Sequence, residues 1–194
     1  MSNPYLTNES KLLYAKTLHD IAAPLGALTL CVDDIKKALP ESAGLIEASI
    51  ETLAQRISYW RLMVTGSEQS PTYSDAANAI RAMAKLKSVE VIFVSVEDYQ
   101  GVYIRLILGL VMLGLESLPR GGKISIDADK GTVTASGEKC YLSNEVKEAI
   151  NGKVETPSSR HALGFLIFEW AKACGAWVKL EHDPMKLEFT LQNQ

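Results

Sequence analysis

Two heptad seams constrain this chain more than any other feature of it. Tyr14, Leu18, Ile21, Leu25, Leu28, Val32, Ile35 and Leu39 recur at alternating intervals of four and three residues. An α-helix turns once in about 3.6 residues, so this rhythm sets all of them on one stripe, in the a and d positions of a heptad repeat. Ile46, Ile50, Leu53, Ile57, Trp60 and Val64 repeat it. Thr7 or Asn8 can cap the first helix, Pro40 is expected to mark its end, and Gly66 can end the second. Two such helices a few residues apart predict an antiparallel helical hairpin over residues 1–66. One hairpin cannot cover both seams by itself. The economical solution is a four-helix bundle made by a homodimer; the alternative is that the rest of the chain covers the seam.

After a polar linker over residues 67–74, within GSEQSPTYSD, the pattern changes. Asp75–Lys87 reads as a helix, VEVIFVSVE (89–97) as a strand, Val102–Leu118 as a helix and Pro119-Arg120-Gly121-Gly122 as a turn. KISIDAD and GTVTASG suggest one hairpin. AWVKLEH and KLEFTLQ, meeting across Asp183-Pro184, suggest another. Ser143–Ile150 and Ser158–Cys174 read as helices, the latter closed by Gly175. Helices alternating with mostly antiparallel strands predict an α/β sandwich over 75–194 with its helices on one face. The most apolar run, LILGLVMLGL (106–115), is bounded by Arg105 and Glu116 and falls well short of the ~20 residues of a membrane helix. It is predicted to be a buried core helix.

Composition removes several functional classes. The 194 residues are 47% apolar and 22% charged, the balance of a folded domain and not of a disordered chain. A net charge of −3 with no long basic run argues against nucleic acid as the main partner. Cys31, Cys140 and Cys174 lie far apart and form no Cys-x-x-Cys pair, so neither a disulfide framework nor a zinc knuckle is signalled. The polar start MSNPYLTNESK has no signal-peptide apolar core, and a cytoplasmic protein without a membrane partner is expected. No metal site is apparent, His161 and His182 have no evident partners, and no Gly-x-Ser-x-Gly elbow occurs.

His19 stands out, in TLHDIAAPLGAL (17–28). With Leu18 at position a, His19 is at b and Asp20 at c, both facing away from the seam. Its neighbours three, four and seven residues on are Ala22, Ala23 and Gly26, a low bare strip, and Lys16 lies three residues back. A second protein can approach an imidazole mounted this way. With the hairpin turning near Pro40, residue 19 is expected level with about residue 62. That places Arg56, Tyr59, Trp60, Arg61 and Met63 at the same height, a basic and aromatic patch suited to a protein surface or an anionic group. An exposed imidazole titrates near neutrality and is a competent nucleophile, and Asp20 could orient it or accept its proton.

LHDIAAPLGAL resembles the H-box of histidine kinase dimerisation domains: a histidine, then an acid, then Pro-Leu four residues after that acid. ILGLVMLGLESLPRGGKISI and SSRHALGFLIFEWAKACGAWVKLEHD resemble two segments of the kinase ATPase module: its asparagine-bearing helix, and its glycine-rich segment with the following helix and strand. Taken together, with Arg61-Leu62 to Gly66 and the chain length, the sequence is most similar to the ChpT-type dimeric histidine phosphotransferases. The resemblance covers nearly the whole chain. It departs from the kinases where they hold nucleotide. Aligned on Pro119, the two asparagine positions fall on Gly109 and Leu113, TASGEKCYLSN replaces the Asp-x-Gly-x-Gly box, and the phosphate-cradling glycines become Ser158 to Gly164. Leucine supplies no magnesium ligand, and an arginine–histidine pair supplies no glycine cradle.

The resemblance therefore implies a histidine phosphotransferase with a degenerate ATPase-like domain. His19 would accept a phosphoryl group from a receiver-domain aspartate, that of a hybrid histidine kinase, and pass it to a response regulator. Lys16 would steady the group in transit. Ala22, Ala23, Leu25, Gly26, Arg56, Tyr59 and Met63 would form the docking face, with Arg160 a weaker contact. No cofactor is expected on this chain, magnesium arriving with the receiver. A divergent ATP-dependent kinase and a non-catalytic receiver-binding adaptor are the alternatives.

Overall fold

The computed structural model describes residues 16, 17, 20, 21, 24, 27, 28, 40–64, 72–95 and 102–193. Lys16, Thr17, Asp20, Ile21, Pro24, Ala27 and Leu28 are helical. Helix α1 runs Pro40–Val64 and α2 Tyr73–Leu86, followed by β1 (Val89–Ser95) and α3 (Val102–Ser117). Then come β2 (Gly122–Asp127), β3 (Thr132–Ser136), α4 (Asn144–Ile150), α5 (Ala162–Ala173), β4 (Ala176–Asp183) and β5 (Lys186–Asn193). The end of the helix expected before Pro40 lies outside the described residues, and Pro40 opens α1. This is the position where proline's missing N–H costs nothing, because the first turn has no partner for it. The helix expected over Ser158–Cys174 starts only at Ala162, since residues 159–161 form a turn.

The five strands form one sheet in the order β1-β2-β3-β5-β4. β1 and β2 pair in parallel across α3, while β2–β3, β3–β5 and β5–β4 are antiparallel. Both expected hairpins are present. The Pro-Arg-Gly-Gly turn enters β2 through two residues of positive φ, Gly121 (74°) and Gly122 (143°). A Cβ on Gly121 would sit 2.8 Å from the Ser88 carbonyl oxygen, so glycine is required there by conformation and by contact.

Side-chain alternation gives the sheet one dry face. Ile124 and Ile126, Val133 and Ala135, Leu187 and Phe189, and Val178 are buried, and their neighbours along each strand are mostly polar. Against that face lies α3, whose middle is covered on every side: Leu106, Leu108, Leu110, Val111, Leu113 and Leu115 have no exposed surface. α1, α2 and α5 pack around it. Tyr59, Trp60 and Met63 of α1 belong to the same hydrophobic cluster as the sheet, so the core runs without a break from the last turns of α1 to the strands.

Candidate functional site

A pocket of about 230 Å³ opens where four segments converge. Lys16 and Asp20 come from the N-terminal helical residues, Arg56 and Trp60 from α1, Met83 and Lys87 from α2 and its C-cap, and Met112 and Glu116 from α3. Its apolar wall is thioether and indole. Its polar wall is a chain of charges. Lys16 Nζ lies 2.9 Å from Glu116 Oε1 and 3.5 Å from Asp20 Oδ1. Arg56 Nη1 lies 3.8 Å from the same Asp20 oxygen and donates to the Asp20 carbonyl at 3.3 Å. Lys87 Nζ donates to the carbonyl of Leu115 at 3.0 Å, one of the orphan acceptors at the end of α3.

These surroundings decide the protonation of the two lysines in opposite directions. Burial alone would lower the pKa of Lys16, but the carboxylates of Glu116 and Asp20 outweigh it and hold the ammonium above its ordinary value. For Lys87 burial prevails. It pulls the pKa below the ordinary value, against the pull of Glu116, and Arg56 and Lys16 add to the lowering. The Nε atom of Arg56 and the Nε1 atom of Trp60 are buried and find no hydrogen-bond acceptor among the described residues.

His19 itself lies outside the described residues, as do Ala22, Ala23, Leu25 and Gly26. Of the remaining expected site residues, the pocket gathers Lys16, Asp20 and Arg56. Asp20, expected to face outward at position c, is mostly covered, its side chain only 13% exposed. Its partner is Arg56 of α1, 3.8 Å away. Tyr59 and Met63 require correction. Both are expected on a docking face, and both are fully buried. The Tyr59 hydroxyl donates to the Leu108 carbonyl at 2.6 Å, and burial, with the charge of Glu116 adding to it, pushes the phenol well above its ordinary pKa. Heptad position identifies an apolar stripe but not which body will cover its flank.

Two histidines also gain partners that the sequence does not reveal. Nδ1 of His161 accepts from the Ser158 amide at 3.0 Å and lies 2.8 Å from its hydroxyl, fastening the turn before α5. His182 Nε2 lies 3.5 Å from the Cys140 carbonyl. Arg160 pairs with Glu145 at 3.5 Å on the surface. Neither Glu116 nor Lys87 is singled out by the sequence as a site residue. The one available signal is that Glu116 ends an otherwise uncharged ten-residue run, and by itself that marks only a helix boundary.

Leu113 is fully buried, and a Cβ on Gly109 would come within 2.8 Å of Ile167 Cγ1, so α5 packs directly on the face of α3 that carries the two positions aligned with the kinase asparagines. Gly164 is pressed against α4, 2.8 Å separating its would-be Cβ from the Val146 carbonyl oxygen. Among the described residues no group of three or more His, Cys, Asp or Glu side chains is placed to hold a metal ion, and no helix is long and apolar enough to cross a membrane.

The fold and the site together define a class: a helical segment joined by an ion pair to a two-layer α/β domain with a mixed five-stranded sheet. Residues 74–186 match the family model of the histidine phosphotransferase C-terminal domain, and the chain belongs to that family. Among solved structures, a bacterial phosphotransferase superposes with a TM-score of 0.83 over 95% of this chain and 96% of that one, at 18% identity, which establishes a shared fold. The histidine kinase AdeS of Acinetobacter baumannii is more distant, with a TM-score of 0.46 and 12% identity over 89% of this chain and 95% of its own. So is the blue-light activated histidine kinase EL346 domain of Erythrobacter litoralis, with a TM-score of 0.44 and 10% identity over 91% and 94%. No curated protein matches in sequence.

Proposed function

We propose that this chain is a phosphorelay intermediate with His19 as its phosphoacceptor. A ring nitrogen of His19 attacks the phosphorus of a receiver's aspartyl phosphate in line. The acyl phosphate P–O bond breaks, the aspartate departs as a carboxylate, and an N–P bond forms. A response regulator's aspartate reverses these events and regenerates the imidazole. Transfer of this kind needs mostly position and charge stabilisation, and the reading assigns magnesium to the receiver. The observation that carries it is the family match over residues 74–186. The filled face of α3 favours transfer over ATP-dependent phosphorylation.

The homodimer belongs to this proposal. Leu45, Ile50 and Ile57 of α1 are 61%, 53% and 38% exposed in the single chain, and two of them lie on the heptad seam. A second copy of the hairpin is the partner with a matching stripe.

The test is incubation of the purified chain with a receiver carrying labelled aspartyl phosphate. The wild type is expected to take up the label in an acid-labile form and His19→Ala to take up none. Label on His19→Ala, or uptake only when ATP is supplied, would overturn the reading.

A further inference from the structure

We infer that Glu116 is a positioning residue for phosphoryl transfer, acting through Lys16. The inference rests on the phosphotransfer reading but on a different observation. Glu116 lies in the last turn of α3, inside the family-matched region, whereas Lys16 lies three residues before His19. Their charged atoms are 2.9 Å apart. The pair therefore ties the phosphoacceptor segment to the α/β domain.

Two features make this contact more than a surface ion pair, which would contribute little. The first is its setting. Lys16 and Glu116 are both under a third exposed and share the pocket with Asp20, Arg56 and Lys87, so screening by water is reduced. The second is connectivity. Lys16 also reaches Asp20, the residue after His19 in sequence, and Asp20 in turn meets Arg56 of α1. Residues on both sides of the phosphoacceptor are thus held by one chain of charges that ends in the α/β domain. Lys87, bonded to the carbonyl beside Glu116, keeps a second cation at that end.

The pocket carries three cations against two carboxylates, so removing Glu116 leaves an uncompensated positive cluster beneath the helix. Repulsion among Lys16, Arg56 and Lys87 then displaces the segment that carries His19. A domain that has lost its nucleotide chemistry thus retains a structural role, fixing the height and rotation of the phosphoacceptor.

Glu116→Ala, Lys16→Met and the double variant are compared with wild type in single-turnover phosphoryl uptake, and amide hydrogen exchange is followed over residues 16–28. Glu116→Ala is expected to slow the saturated uptake rate about tenfold while the receiver concentration at half-saturation stays within about twofold. The double variant should be no slower than the worse single one, because both remove the same link. Exchange over 16–28 should accelerate in Glu116→Ala while that of α3 and α5 is unchanged. Additive losses, a change confined to half-saturation, or unaltered exchange over 16–28 would overturn the inference. The exchange measurement decides it even if the wild type takes up no label, an outcome that would count against the phosphotransfer reading alone.

Discussion

Tyr59 shows how a single side chain changes its meaning once its surroundings are fixed. Its hydroxyl, 2.6 Å from the Leu108 carbonyl, joins α1 to the centre of α3 with no solvent in reach. The carbonyl keeps its helical partner without it, so Tyr59→Phe is expected to cost about 1 kcal/mol, the ordinary worth of a buried hydrogen bond. Urea unfolding measures this, and receiver affinity should be unchanged; a variant of full stability that fails to bind would return Tyr59 to the docking face. Asp20 makes the complementary point. Its place beside His19 and four residues after Lys16 is evident from the sequence, but its pairing with Arg56 is not, since that contact depends on the path of α1 after Pro40. Of the charged pocket, the sequence reveals the members near the histidine and conceals Glu116 and Lys87. They are brought there by α2 and α3, elements whose packing partners no periodicity specifies.

Helices and strands are more legible than contacts, because each carries its own signals. α2 is the clearest case. Thr72 accepts from the Asp75 amide at 3.2 Å, while the Asp75 carboxylate accepts from the Thr72 amide at 3.1 Å and from its hydroxyl at 2.6 Å, a capping box written within four residues. Hydrogen bonds from the Thr72 hydroxyl and amide hold the Asp75 carboxyl below its ordinary value. A depressed carboxylate stabilises the fold above its unfolded pKa and loses that contribution as pH falls through the lowered folded value. Thr72→Ala is expected to cost about 1 kcal/mol at neutral pH. It should also lose less stability than wild type on acidification below about pH 4, readable from unfolding curves at the two pH values. An identical acid-side loss in both proteins would show that the box contributes nothing to α2. The same locality explains why both β-hairpins and the Pro-Arg-Gly-Gly turn are readable, and why the N-terminal limit of α5 is not. There a histidine that looks unattached binds back to Ser158 in the turn that precedes the helix, which starts only at Ala162.

At the scale of the molecule, α1 divides its apolar surface between two duties. Its last turns, Tyr59, Trp60 and Met63, complete the core of the α/β domain, while Ile50 and Ile57 stay partly in water. An isoleucine moved from water into an interface contributes roughly 1.5–3 kcal/mol. Ile50→Glu is accordingly expected to raise the dimer dissociation constant by about 100-fold or more, an effect of roughly 2.7 kcal/mol. Sedimentation equilibrium would show this, and an unshifted monomer–dimer balance would mean that another surface, or none, makes the dimer. The sequence by itself determined the heptad helix α1 and the mixed α/β layer, because periodicity, turn chemistry and residue type act over a few neighbouring positions. The tertiary structure decided which flank of α1 is core, that Asp20 is covered, and that Glu116 faces Lys16 across 100 positions of chain. Those outcomes depend on the angle at which a helix meets a sheet, which is set by the joint packing of many distant side chains and is encoded at no single stretch of the sequence.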